Sequence, residues 1–217
     1  MPTHEPPPAP ARVILISGPS GSGKSRLATA LHSAHGWPVV ELDDFYRDGR
    51  EQKLPRSPLG LPDWDNVASW DQQEALHALH TLHIDGEVLV PRYDISTSRV
   101  VGSRCVRLEG ADLILAEGIF ASHLIEPLGA QGILAQAWCI RDHPWLTFVK
   151  RFTRDVQQRR KPVRTLWRRG HKLRHAEPGI VHAQQLMGAT AMSSTQARRH
   201  AHDMAAALRP GTRQTHD

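Results

Sequence analysis

Residues Arg12 to Ser17 read RVILIS and run directly into Gly18-Pro-Ser-Gly-Ser-Gly-Lys-Ser25. A short apolar, β-branched run of this kind is what a strand buried on both faces of a parallel sheet requires. The glycine-rich stretch after it fits GxxxxGK[ST], and Ser25 to His35 carries Leu27, Ala28, Leu31 and Ala34 at helical spacing. In that order, strand, glycine loop and helix, backbone N–H groups converge on phosphate oxygens while the helix dipole adds positive potential. Gly18, Ser20, Gly21, Ser22 and Gly23 would form the cradle. Lys24 would reach the β and γ phosphates, and the Ser25 hydroxyl would reach Mg²⁺. The expected ligand is ATP or GTP with Mg²⁺.

The rest of the chain alternates in the same manner. Pro38 to Leu42, Asp112 to Ala116 and Ala135 to Ile140 are further apolar runs, and Val67 to Leu82 reads as an amphipathic helix with Trp70, Leu76, Leu79 and Leu82 on one face. Glu87 to Tyr93 and Arg104 to Leu108 resemble an antiparallel hairpin inserted into the series. Trp145 to Gln158 reads as a helix, Gly188 to Met192 as a short last strand, and Thr195 to Leu208 as a final helix. The expected fold is α/β: a P-loop NTPase domain with a parallel sheet flanked by helices, over residues 12–217. Residues 1–11, rich in proline from Pro2 to Pro10, read as a disordered tail.

Composition removes several alternatives. Among 217 residues the two cysteines, Cys105 and Cys139, form no CxxC and no disulfide framework. No run approaches the roughly 18 to 20 apolar residues of a membrane span, and the amino terminus lacks the apolar core of a secretory signal. A cytoplasmic protein without membrane contact is expected. The net charge of +5 is concentrated, with 12 Lys and Arg against 2 Asp between Arg141 and Arg174, and the remainder is net acidic. Such a segment attracts a nucleotide triphosphate as readily as nucleic acid. His77, His80 and His83 step along one helix without Cys or acidic neighbours, which favours a solvated face over a zinc site. The tryptophans read as core, with Trp64, beside Asp65, the candidate for stacking on a base.

Which residues would do chemistry depends on carboxylates at strand ends, where an open parallel sheet places its ligand crevice. Asp43 and Asp44 close the second strand. One of them could take the proton of an attacking hydroxyl or hold Mg²⁺ through water, and both could equally open a turn. Glu117 ends the strand in LILAEGIF, where it suits an outer-shell Mg²⁺ role better than a helix cap.

These motifs together resemble the uridine kinase family. The succession is Gly18 to Ser25, Asp43-Asp-Phe-Tyr46, Trp64-Asp65, Pro91-Arg-Tyr-Asp94 with Arg99, Glu117-Gly-Ile119, and Arg151-Phe-Thr-Arg-Asp155. The resemblance implies transfer of the γ-phosphate of ATP or GTP to a nucleoside hydroxyl. Position by position it implies that Asp43 is the general base, that Asp65 holds the ribose hydroxyls and that Tyr93 lies near the base, with Arg99 and Arg151 on the acceptor. Glu117 would assist Mg²⁺ with Ser25. Arg151, Arg154 and Arg159 would belong to a lid closing over the phosphates, which accounts for the basic segment.

The pattern also departs from that family. Tyr93-Asp-Ile-Ser-Thr-Ser-Arg99 is one residue shorter than usual and lacks the His that contacts the pyrimidine, and Asp65 keeps its place while its neighbours differ. The alternatives are therefore a related kinase with a sugar or vitamin-precursor acceptor, or a nucleotide-responsive binding module. A small-molecule acceptor is the expected partner and nucleic acid is not. Homo-oligomerisation is left open.

Overall fold

The protein is described by a computed structural model over residues 10–58, 60–141 and 178–208. The elements follow in order: β1 (Arg12–Ser17), α1 (Lys24–His35), β2 (Val39–Glu41), α2 (Gln72–Asp85), β3 (Glu87–Asp94), β4 (Arg99–Arg107), β5 (Leu113–Glu117), α3 (Ile125–Ala130) and β6 (Leu134–Ile140). After them come a helical stretch at 178–186 (α4), β7 (Thr190–Met192) and α5 (Ser194–Leu208). The expected helix at Trp145 to Gln158 lies outside the described residues.

The main sheet has the order β2-β5-β1-β6-β7 with every pairing parallel. β1 lies centrally, and its continuous apolar run serves both faces. Val13 and Leu15 enter a core completed by Ala75, Leu79 and Leu82 of α2 and Leu128 of α3. Ile14 and Ile16 enter the opposite core, with Leu27 and Leu31 of α1 and Ala197 and Ala201 of α5. The chain leaves β1 toward β2 on one side and later crosses from β5 to β6 on the other. The crevice is therefore expected at the carboxyl end of β1.

Two boundaries differ from expectation. Ala11 is already buried, and its carbonyl meets His83 Nδ1 at 2.6 Å, so ordered packing begins before Arg12. The helix expected over Val67 to Leu82 is broken. A 3-10 turn at Val67–Ser69 is capped by Asn66, and α2 starts afresh at Gln72, where the Asp71 carboxylate accepts from Glu74 N. Trp70, between them, leaves the helical face. Its indole donates to the Leu42 carbonyl at 2.7 Å, tying this loop to the end of β2.

The hairpin is present as a separate two-stranded antiparallel sheet, and its strands are longer than expected. Val90 and Val106 plug it into the first core, while Leu89 and Val101 remain exposed on its other face. Among the described residues no helix is long and apolar enough to cross a membrane.

Candidate active site

Gly18 to Ser25 links β1 to α1. Gly18 has a φ of 137°, and a side chain there would run into the Ile140 carbonyl of β6, so only glycine lets the loop leave the sheet at this point. Gly21 and Gly23 also take positive φ, 79° and 93°. Gly23 caps α1 without a side-chain hydrogen bond, and no acidic residue occupies the first turn, which leaves the helix N–H groups and dipole available to an anion. Ser20 is exposed at the loop tip and Ser22 is fully buried. The buried Lys24 ammonium donates to the carbonyls of Gly18 and Pro19 at 3.0 and 3.1 Å, folded across its own loop.

Facing this loop are the two strand-end carboxylates. Glu117 is 6% exposed and lies on β5, which pairs directly with β1. Burial pushes its carboxyl above the usual range, against the lowering influence of a hydrogen bond from the Ser25 hydroxyl and of the Lys24 charge. Asp43, in the turn after β2, is half-buried, and its Oδ1 accepts from Ile119 N at 3.3 Å. Burial raises this carboxyl too, opposed by Lys24 and the Ile119 N–H, with Asp44 adding to the rise. Gly118 makes the approach possible, since a Cβ there would meet Leu42 Cβ at 2.8 Å and Asp43 Oδ1 at 3.0 Å.

The neighbouring Asp44 does something else. Its Oδ1 accepts from Tyr93 N at 2.9 Å, and its Oδ2 lies 3.7 Å from Arg104 Nε, so it fastens the hairpin to the sheet. Strand position alone left the two aspartates equivalent, and the family resemblance pointed to Asp43. In the fold one faces the phosphate loop and the other is engaged in structure.

Beside Asp43 stands an aromatic cluster. Tyr46 packs its ring 5.7 Å from Trp64, 5.7 Å from Tyr93 and 6.1 Å from Phe120, and its hydroxyl donates to the Trp64 carbonyl. Burial, and then the charges of Asp43 and Asp65, raise the Tyr46 phenol. The Tyr93 hydroxyl is buried beside Ser98 without a well-formed hydrogen bond. Phe120 carries the cluster on to His123, whose imidazole burial holds below its usual range.

The fold thus gathers Lys24, Ser25, Glu117 and Asp43 on one side and Tyr93, Trp64 and the exposed Asp65 on the other. Arg99 stands at the start of β4 opposite Asp94, and its charge acts on Asp48. Arg151, Arg154 and Arg159 lie outside the described residues. Sequence reasoning missed Tyr46, Phe120 and Arg104 as parts of this region. The aromatics flanking Asp43-Asp44 and Glu117-Gly118 were the available signal, whereas nothing in the sequence pointed to Arg104. Trp37, Trp70 and Trp138 are core as expected, and among the described residues no group of His, Cys, Asp and Glu forms a metal site.

A parallel sheet with a phosphate loop at its central strand and carboxylates at the adjacent strand ends defines the fold of the P-loop kinases, and the solved structures agree. The candidate fructose transport system kinase of Silicibacter sp. TM1040 superposes with a TM-score of 0.61 at 19% identity, covering 88% of this chain and 91% of that one. Phosphoribulokinase from Rhodobacter spheroides gives 0.51 at 15% identity, covering 82% and 68%. In sequence, the chain is similar to the uridine kinase of Schizosaccharomyces pombe: the two are 32% identical over 123 residues, 55% of this chain and 27% of that protein. The chain spans 21% to 37% of the length of the curated relatives it matches. No protein-family profile matches it.

Proposed function

We propose that this chain is a Mg·ATP-dependent kinase that phosphorylates an alcohol of a small molecule, with a nucleoside as the leading acceptor class. The observation that carries the reading is the convergence of Asp43 with Lys24 and Glu117 at the strand ends, beside an aromatic cluster. A structural aspartate would not need a position where burial disfavours its charge. A general base gains from one, because a raised carboxyl pKa strengthens its pull on a hydroxyl proton.

Glu117 and Ser25 fit Mg²⁺. They are hard oxygen donors in contact beside the phosphate cradle, and a carboxylate buried against its own charge preference is relieved by a cation. When bound, the ion would neutralise charge on the β and γ oxygens. The chain's own groups do the remainder. The phosphate loop holds the triphosphate, Lys24 turns from its loop carbonyls to the transferring group, and the acceptor rests against Tyr46, Tyr93 and Trp64. Its hydroxyl oxygen bonds to the γ phosphorus as the bond from that phosphorus to the β,γ-bridging oxygen breaks. The proton passes to Asp43 and ADP departs. Arg151, Arg154 and Arg159 remain proposed lid residues, and Asp65 and Arg99 proposed acceptor contacts.

A second reading, a kinase for a non-nucleoside alcohol, is favoured by the turn joining β3 to β4. There Asp94 is taken up by Ser96 and Thr97, and the stretch Tyr93 to Arg99 carries no His of the kind the family resemblance leads one to expect. Incubating the protein with Mg·ATP and a panel of nucleosides, monosaccharides and polyols, with products read by mass spectrometry, tests both. Phosphorylated nucleoside supports the first reading and phosphorylated sugar or polyol the second. No product from any acceptor contradicts both.

A further inference from the structure

The residue that holds Asp43 is itself held. Ile119 comes directly after Glu117-Gly118 at the end of β5, in an irregular loop. Its N–H donates to Asp43 Oδ1 at 3.3 Å, a long bond that a small displacement would forfeit. On its other side the Ile119 carbonyl accepts from Gln184 Nε2 at 3.1 Å. Gln184 comes from α4, far along the chain, and is 5% exposed. Its Oε1 lies 3.1 Å from the sulfur of Cys139, buried on β6 beside β1.

The donor and acceptor directions in this chain are fixed by chemistry. A backbone carbonyl only accepts, so the amide nitrogen must face Ile119, and Oε1 then faces the Cys139 thiol, which can donate to it. Burial pushes the Cys139 thiol up, which keeps it protonated and donating at neutral pH. A buried amide costs free energy unless both ends are bonded, and packing alone would be served by methionine or leucine at this place. The two bonds are what the amide contributes.

We infer that Gln184 is a positioning residue for Asp43: oriented by Cys139, it clamps the Ile119 carbonyl so that the Ile119 N–H stays on the Asp43 carboxylate. The inference rests on the reading of Asp43 as the general base, but the clamp can be tested without any acceptor. Among the described residues, the charged and titratable groups facing Asp43 are Lys24 of the phosphate loop, Glu117 of β5, and Asp44 and Tyr46 of its own turn. Substitutions at Gln184 and Cys139 replace none of these groups, and Gln184→Met also spares the Cys139 thiol on which the Lys24 charge acts.

The test tracks the Ile119 amide by ¹H–¹⁵N NMR through an acid titration of the nucleotide-free full chain. In the wild type this resonance should move with the Asp43 titration, and in Asp43→Asn that component should vanish, leaving only what the nearby Glu117 carboxyl contributes. Gln184→Met, matched in volume but unable to donate, should reduce the amplitude and raise the midpoint by about half a pH unit or more, since a bond that favours the charged carboxylate is lost. Cys139→Val leaves Gln184 in place without its orienting donor and should shift the midpoint the same way by less. Should Gln184→Met fail to fold, Cys139→Val carries the test alone. Unchanged amplitude and midpoint in the folded variants would overturn the clamp. With an acceptor in hand, Gln184→Met should lower kcat about 10-fold or more while leaving the KM for ATP unchanged. A kinase unaffected by the variant would remove the positioning role alone, and a shifted midpoint in a protein without kinase activity would leave the clamp standing while removing the proposed function.

Discussion

The phosphate loop takes its binding groups from one continuous stretch, Gly18 to Ser25, and most of them are backbone N–H groups set by glycine conformations and a helix start. The acceptor side gathers Asp43, Tyr46, Trp64, Tyr93 and Phe120 from separated segments and relies on side chains throughout. A backbone cradle tolerates little change in spacing, so its ligand is legible wherever it occurs. A side-chain pocket can be rebuilt on the same frame for another acceptor, and the frame alone does not say which.

That contrast can be broken most forcefully at Lys24. Lys24→Ala should cut turnover by about 100- to 1,000-fold and weaken ATP binding in calorimetry, because this side chain serves the nucleotide half. Turnover near the wild-type level would mean that the ammonium never leaves the Gly18 and Pro19 carbonyls. Asp44→Ala acts on the other half. It strands the Tyr93 N–H and takes one carboxylate partner from Arg104, and should cost about 1–3 kcal/mol in urea unfolding while ATP affinity holds. Equal damage to ATP binding would show that the halves are not independent.

Tyr93→Phe removes a buried hydroxyl that lacks a well-formed bond. If that hydroxyl serves the acceptor, the acceptor KM should rise about 10-fold with no loss of thermal stability. A fall in Tm with an unchanged KM would assign it to the fold instead.

The smallest effect concerns pH. Burial raises the Asp43 and Glu117 carboxyls in the folded chain, so the folded state binds more protons than the unfolded one between their ordinary and raised values. Stability from these groups is present at low pH and is lost as pH rises through that window. Asp43→Asn, which removes one of the two buried charges, should therefore raise the Tm of the nucleotide-free protein at neutral pH. A lower Tm would mean that attraction to Lys24 outweighs desolvation.

Much of this was legible in the sequence. β1 and the loop after it were readable because a strand buried on both faces leaves a continuous apolar run, and β7 lies within the short last strand expected over Gly188 to Met192. The fused helix at Val67 to Leu82 was not. Hydrophobic periodicity continues across Trp70 and hid the break, which the Asp71 cap with Glu74 three residues on marks locally and the indole on the Leu42 carbonyl fixes in the fold. Asp43 and Asp44 could be separated only by the family resemblance and not by local pattern, because their physical difference lies in what reaches them, Ile119 for one and Tyr93 with Arg104 for the other. Gln184 carried no local signal at all, since its partners lie on two other elements.

The central claim is that Asp43 takes a proton and does not hold the nucleotide. Measuring turnover and ATP affinity side by side in Asp43→Asn tests it most directly. The account predicts that kcat falls by about 100- to 10,000-fold while the dissociation constant for Mg·ATP stays at the wild-type value. Full turnover, or a loss of ATP binding that accounts for the whole defect, would contradict it.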